Sequence, residues 1–174
     1  MKREYGFTLV ELLVVIAILG ILLAMMVPTA GYVLRKANEW RARADAGVVV
    51  SALTKYYAEY NHWPSFYEVN GDMQTDEEWL ETMNPDPDAD ASDLKDNMKR
   101  ISFFEPGKGI VDEQNNVVDP WGNPYFYEVD VDYDDIIENP NPDKSDEIRA
   151  TAIAWSAGED GDVETWDDNC ASWD

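Results

Sequence analysis

One stretch constrains this chain more than any other. Phe7–Val27 reads FTLVELLVVIAILGILLAMMV, an apolar run with a single charge, Glu11. As an α-helix it would be about 31 Å long, enough to cross the hydrocarbon core of a bilayer. A cleaved secretory signal has a shorter apolar region ending in a small-x-small site, and Pro28-Thr29-Ala30 is a poor one. A buried core helix in a chain of 174 residues is seldom apolar on every face. The run therefore reads as a membrane-spanning helix over 7–27. Glu11 is its anomaly. An ionisable group in a membrane helix is expensive, and either has a functional partner or lies near the headgroups.

The residues around that glutamate form a motif. Lys2-Arg3-Glu4-Tyr5-Gly6 is followed by Phe7-Thr8-Leu9-Val10-Glu11 and then by the unbroken apolar run. This resembles the N-terminus of the type IV pilin and pseudopilin superfamily, and the match extends over residues 1–60. The resemblance implies a charged leader, residues 1–6, cut after Gly6 by a prepilin peptidase that methylates Phe7. It also makes Glu11 and the helix proline, Pro28, assembly residues. A Glu11 carboxylate packed among apolar helices needs a cation, and the span holds no Lys or Arg. The freed Phe7 amine of a neighbouring subunit is the nearest source. Such a pair would fix axial register between helices.

Charge counting gives an ambiguous orientation. Lys2 and Arg3 precede the run, while Arg35, Lys36, Arg41 and Arg43 follow it. The resemblance places the leader inside, with the chain a single-pass inner-membrane protein. Its body would lie in the periplasm or outside the cell, and the protein would later enter a filament.

Beyond the run the helix is expected to continue over 28–60. Val33, Ala37, Trp40, Ala44, Val48, Val49, Leu53, Tyr56 and Tyr60 recur at spacings of three and four, which predicts a core-facing stripe. Glu39 and Arg43 form an i,i+4 pair on the other side. Asn61-His62-Trp63-Pro64 ends the helix. Residues 61–174 then form the body. A short helix is predicted over Asp76–Met83 with Thr75 as its cap, and a second around Ser92–Ile101. The acidic segment 85–93 reads as a solvated loop. Asp119-Pro120-Trp121-Gly122-Asn123-Pro124 is a turn. Tyr127, Val129, Val131 and Tyr133 alternate with Glu128, Asp130, Asp132 and Asp134, which predicts a half-buried antiparallel strand. Residues 130–147 read as a loop containing Asn139-Pro140-Asn141-Pro142, and Ile148–Trp155 as a strand. The expected class is α+β: a long N-terminal helix, its first half membrane-spanning, packed on a small C-terminal antiparallel sheet with extended loops.

Charge excludes one class of function. The chain carries a formal −23, and a nucleic-acid binder needs a basic surface. The charge is unevenly placed: residues 1–57 carry a net +3 and the remainder −26. A single cysteine, Cys170, excludes an internal disulfide and any cysteine-based zinc site, and reads as a small packed residue or a free thiol. With one histidine, His62, no multi-histidine metal site is possible.

The last twenty residues combine glycines with carboxylates in Ser156-Ala157-Gly158-Glu159-Asp160-Gly161-Asp162 and Thr165-Trp166-Asp167-Asp168. From spacing, a solvated acidic turn and a site for a hard cation both remain open. The segment from Asp119 to Tyr125 is similar to a signature of the major pseudopilin of type II secretion. The Gly-x-Asp-Gly turn with its Asp-Asp pair looks like that family's calcium loop. The resemblance implies a structural calcium ion held by Asp160, Asp167 and Asp168, with Asp162 a weaker candidate.

Two classes of function follow. The first is a structural subunit of a pilus-like filament, a type II secretion pseudopilus, with a type IV pilin or minor pseudopilin as the alternative. Its implied partners are identical subunits, other pseudopilins, the prepilin peptidase and an inner-membrane assembly platform. The second is a membrane-anchored enzyme, for which the sequence offers no Ser/His/Asp grouping, phosphate loop or histidine ligands.

Overall fold

The computed structural model describes residues 7–68, 73–90 and 94–173, with residues 25–30 described by backbone alone. The chain divides into two compact units, Met1–Ala37 and Asn38–Asp174. One helix of 52 residues, α1 (Leu9–Tyr60), contributes to both. In the first unit it is the only element among the described residues. Its large apolar side chains from Phe7 to Leu23 are 46–86% exposed. Among the described residues no helix is long and apolar enough to cross a membrane. The run's last three residues, 25–27, fall where side chains are not described.

In the second unit α1 buries a narrow face of small residues followed by large ones. Ala42, Ala46, Val49, Leu53 and Tyr56 are fully buried at spacings of four and three. This corrects the lower half of the expected stripe, since Trp40 is 72% exposed and Val48 is also exposed. The sequence holds two apolar stripes, offset by the about 100° step between Val48 and Val49, and the one beginning in alanines faces the core. The helix stops as expected. Asn61 takes φ 57°, and its N–H donates to the Tyr57 carbonyl at 2.7 Å. A 3₁₀ turn follows at Ser65–Glu68.

The second helix, α2 (Glu77–Met83), is capped by Asp76, whose carboxylate accepts from the Trp79 N–H at 2.9 Å. Thr75, expected in that role, is fully buried instead. Its hydroxyl donates to the Val117 carbonyl at 2.6 Å and accepts from the Tyr125 N–H at 3.0 Å. It ties three distant segments together. The helix expected around Ser92–Ile101 is absent from the described residues 94–101. Buried Asn97 orders that segment, donating to the carbonyls of Thr82 and Ile101 and accepting from the Tyr60 hydroxyl.

The main sheet is antiparallel, in the order β1 (Phe126–Val129), β4 (Ala152–Ser156), β5 (Cys170–Ala171). Phe126 pairs with Trp155, and Trp155 with Ala171. Tyr127 and Val129 face the core as alternation predicts. The strand then ends five residues early, at Val129 rather than Asp134. Asp130 is buried, and its carboxylate accepts from the N–H groups of Tyr133, Asp134 and Asp135. That turn leaves Val131 and Tyr133 exposed. The expected loop 130–147 includes a strand of its own: β2 (Ile137–Glu138) pairs with β3 (Glu147–Ile148) around the two prolines. The expected strand Ile148–Trp155 is therefore split between β3 and β4. Every residue of β4 is buried, so it shows no alternation. The core of this unit packs Tyr56, Trp79, Phe103, Phe104, Tyr125 and Tyr127 between α1, α2 and the sheet. The observed architecture is thus α+β, a long helix with a small antiparallel sheet.

Removing the Thr75 hydroxyl leaves a buried carbonyl and a buried N–H with only their long 3.3 Å bond to each other, from the Tyr125 N–H to the Val117 carbonyl, whereas removing the Asp76 cap exposes one amide to water. Thr75→Val is expected to cost about 1–3 kcal/mol and Asp76→Ala about 1 kcal/mol in equilibrium denaturation. The reverse ranking would contradict these roles.

Candidate functional site

Two regions hold the residues singled out by sequence. The first is the start of α1. Gly6 and the rest of the leader lie outside the described residues, as does the side chain of Pro28. Phe7 is exposed. Thr8 and Glu11 form a reciprocal cap: Glu11 Oε2 accepts from the Thr8 N–H at 2.9 Å, and the Glu11 N–H donates to Thr8 Oγ1 at 3.2 Å. A second bond, 2.8 Å, joins the Thr8 hydroxyl to the same carboxylate oxygen. This is a capping box, which satisfies donors that a helix end leaves open. The reading of Glu11 as a group in need of a cation missed it, although Thr8-Leu9-Val10-Glu11 spells the pattern. The cap occupies one carboxylate oxygen and leaves Glu11 at the exposed tip of the helix.

The second region is the C-terminal loop between β4 and β5. It docks on the Asp119–Pro124 turn. Asp119 is buried, and its carboxylate accepts from the N–H groups of Trp121 and Asn123 and from the Ser156 hydroxyl. Asn123 Nδ2 donates to the Gly158 carbonyl at 3.0 Å. Gly158, at φ +74°, sits against Asp168: a Cβ there would meet its carboxyl carbon and carbonyl oxygen at 2.6 Å. That approach lets Asp168 Oδ2 accept from the Glu159 and Asp160 N–H groups at 2.7 and 3.1 Å. Asp160 in turn accepts from the Asp162 N–H and the Thr165 hydroxyl, and Asp162 from the Glu164 N–H. Asp167 is exposed. Cys170 is buried on β5, its thiol pushed up by burial, which matches the packed reading.

Asp160, Asp162, Asp167 and Asp168 thus share one loop, but no three of them place ligand atoms within 4.8 Å of one another. Ligands on opposite sides of a calcium ion lie about 5 Å apart. A cation here would draw on these carboxylates with carbonyls and water supplying the rest of its shell. Among the described residues the one acidic group that does converge is Asp130, Asp132 and Asp134. Sequence reading had assigned these to the outer face of a strand. Its buried member already accepts three backbone N–H groups.

The comparisons bear on the N-terminal region and on the chain as a whole. Residues 1–27 match the prokaryotic N-terminal methylation motif. The chain is 28% identical to the type II secretion system core protein G of Aeromonas hydrophila over 95% of its own length and 94% of the relative's. Identity to the core protein G of Escherichia coli K12 is 27%, over 95% and 89%. The chain is similar to the type IV pilin and pseudopilin superfamily in its N-terminal motif and along nearly its whole length. A fimbrial protein of Neisseria meningitidis serogroup A is 43% identical, over only 36% of each chain. The full-length likeness therefore lies with the pseudopilins. These relatives are named as structural proteins, and the enzyme reading has no support among them. No solved structure matches the chain.

The Asp160 carboxyl is held below its ordinary value, chiefly by the Asp162 N–H and then by the Thr165 hydroxyl. A lowered carboxyl pKa contributes stability above the ordinary range, and that contribution is lost as pH falls through the folded value. Asp160→Asn should flatten the fall in melting temperature below about pH 4. An unchanged acid limb would contradict the assignment. Gly158→Ala should cost more than about 2 kcal/mol, since φ is positive and the neighbour is backbone.

Proposed function

We propose that this protein is a structural subunit of a type II secretion pseudopilus. The observation that carries this reading is the pairing of the methylation motif at residues 1–27 with similarity to core protein G along nearly the whole chain. The geometry supports it. A helix whose apolar side chains are exposed on every face has no partner for them among the described residues, and exposed apolar surface of this extent marks contact with membrane or protein. In the proposed cycle residues 7–27 first span the inner membrane, with the body in the periplasm or outside the cell. A prepilin peptidase cuts after Gly6 and methylates Phe7. An assembly platform then passes the helix into a filament of identical subunits and other pseudopilins, whose growth drives protein secretion. Pro28 would ease the helix past its neighbours by leaving one backbone carbonyl without its donor.

Glu11 is assigned two roles in sequence. Before assembly it caps its own helix through Thr8. In the filament its second carboxylate oxygen meets the Phe7 amine of the adjoining subunit, fixing register. Glu11→Ala is expected to leave membrane insertion intact and to lower filament yield at least tenfold. Sheared-filament yield at wild-type level would overturn the register role.

Calcium belongs to the same proposal. Asp160, Asp167 and Asp168, with Asp162 as the weaker ligand, would hold the ion together with main-chain carbonyls. The ion would offset repulsion in a body of net −25 and stabilise by mass action. A rise in melting temperature on adding millimolar calcium to the full-length protein is expected, reversed by chelator. No shift would remove calcium from the account.

A further inference from the structure

A groove of about 630 Å³ opens beside β1 and β4, with the 163–166 part of the C-terminal loop along one wall. Phe126, Trp155 and Trp166 supply its aromatic faces, Pro142 a rigid edge, and Glu128 and Glu164 its charges. Phe126 and Trp155 are stacked at 5.8 Å, and the Trp166 ring lies 6.1 Å from Trp155. Trp155 is only 8% exposed, and its indole N–H is buried without an acceptor. Among the described residues no lysine, arginine or histidine lines the groove. Glu128 is half-buried on β1, and the neighbouring charge its carboxyl senses is the like charge of Glu138. Burial and that repulsion hold its carboxyl above the ordinary value. The fold thus maintains carboxylates beside aromatic faces with no cation among the lining residues to balance them.

The aromatic lining and unbalanced negative charge define one complementary occupant. Indole faces attract cations through their quadrupole. Carboxylates bind a guanidinium through paired, charge-assisted hydrogen bonds. An arginine side chain satisfies both at once, because its planar fork stacks as well as bonds. A small hydrated metal ion would use the carboxylates and waste the aromatic walls. A neutral sugar would use the walls and leave the charge unbalanced.

We propose that this groove is a docking site for an arginine-bearing segment of a partner polypeptide. The proposal does not depend on the filament reading, since it rests on the body alone. It locates one defined contact on a surface whose charge is otherwise diffuse.

The test uses full-length protein in a non-ionic detergent and two acetylated, amidated pentapeptides. One has a central arginine between alanines, and the other has norleucine in its place. The arginine peptide should quench tryptophan emission saturably, with a 1:1 stoichiometry by calorimetry, and the norleucine peptide should not bind. Glu128→Gln with Glu164→Gln should weaken binding about tenfold. Asp90→Asn with Glu113→Gln removes the same charge from exposed positions elsewhere, and should change binding by less than about twofold. Trp166→Ala provides a second lesion of the groove and should also weaken it. Equal loss in both charge-removing pairs would reduce the effect to diffuse attraction and overturn the proposal. So would absence of binding, equal binding of the norleucine peptide, or Trp166-dependent binding of cellotetraose in its place.

Discussion

The structure depends on one imbalance: α1 presents far more apolar surface than this chain can cover. Its second half finds partners, because Ala42, Ala46, Val49, Leu53 and Tyr56 lie against α2 and the sheet. Its first half finds none among the described residues. At about 25 cal/mol per Å² of apolar surface, that is a large free energy left to be gained outside the subunit. A membrane supplies it without specificity, and copies of the same helix supply it with register. The single charge in the run then acquires its meaning. A carboxylate costs little at an exposed helix tip, where Thr8 satisfies it, and in the proposed filament it would become selective as neighbouring helices exclude water.

The body is organised by the opposite problem, too much polar and acidic chain for too little core. It solves this with side chains that replace secondary structure. Thr75 joins segments that no strand connects. Asn97 satisfies four partners in a stretch without helix. Asp119 holds a turn and reaches Ser156, while Asp168 closes the loop over Gly158. Acidic residues serve here as acceptors for backbone amides, which is how a chain with 36 of them keeps loops in place. Their remaining negative charge is what a cation or basic segment would meet.

Much of this was legible in the residues. The long helix, its stop at Asn61, the turn at Asp119–Pro124 and the hydrophobic alternation of Tyr127 and Val129 follow from periodicity and turn chemistry. The family and its processing motif were legible for a different reason, a specific local pattern. The failures share a cause. Thr75 and Asp76 are both good caps by type, and only the distant Val117 and Tyr125 decide between them. Asp130 fits a strand's outer face until three amides from the following residues turn it inward. The stripe on α1 was misread because two apolar faces overlap near Val48, and small alanines mark the packed one. The aromatic groove was not foreseen, since Phe126, Trp155 and Trp166 meet only through strand register and loop closure.

The central claim is that the front of α1 is buried by copies of itself. It is tested most directly by placing a photo-reactive phenylalanine analogue at Leu13 in cells carrying the full assembly machinery. The account predicts that irradiation traps ladders of this chain joined to itself, and that Glu11→Ala removes them. Cross-links confined to lipid or to unrelated membrane proteins, with filaments present, would contradict it.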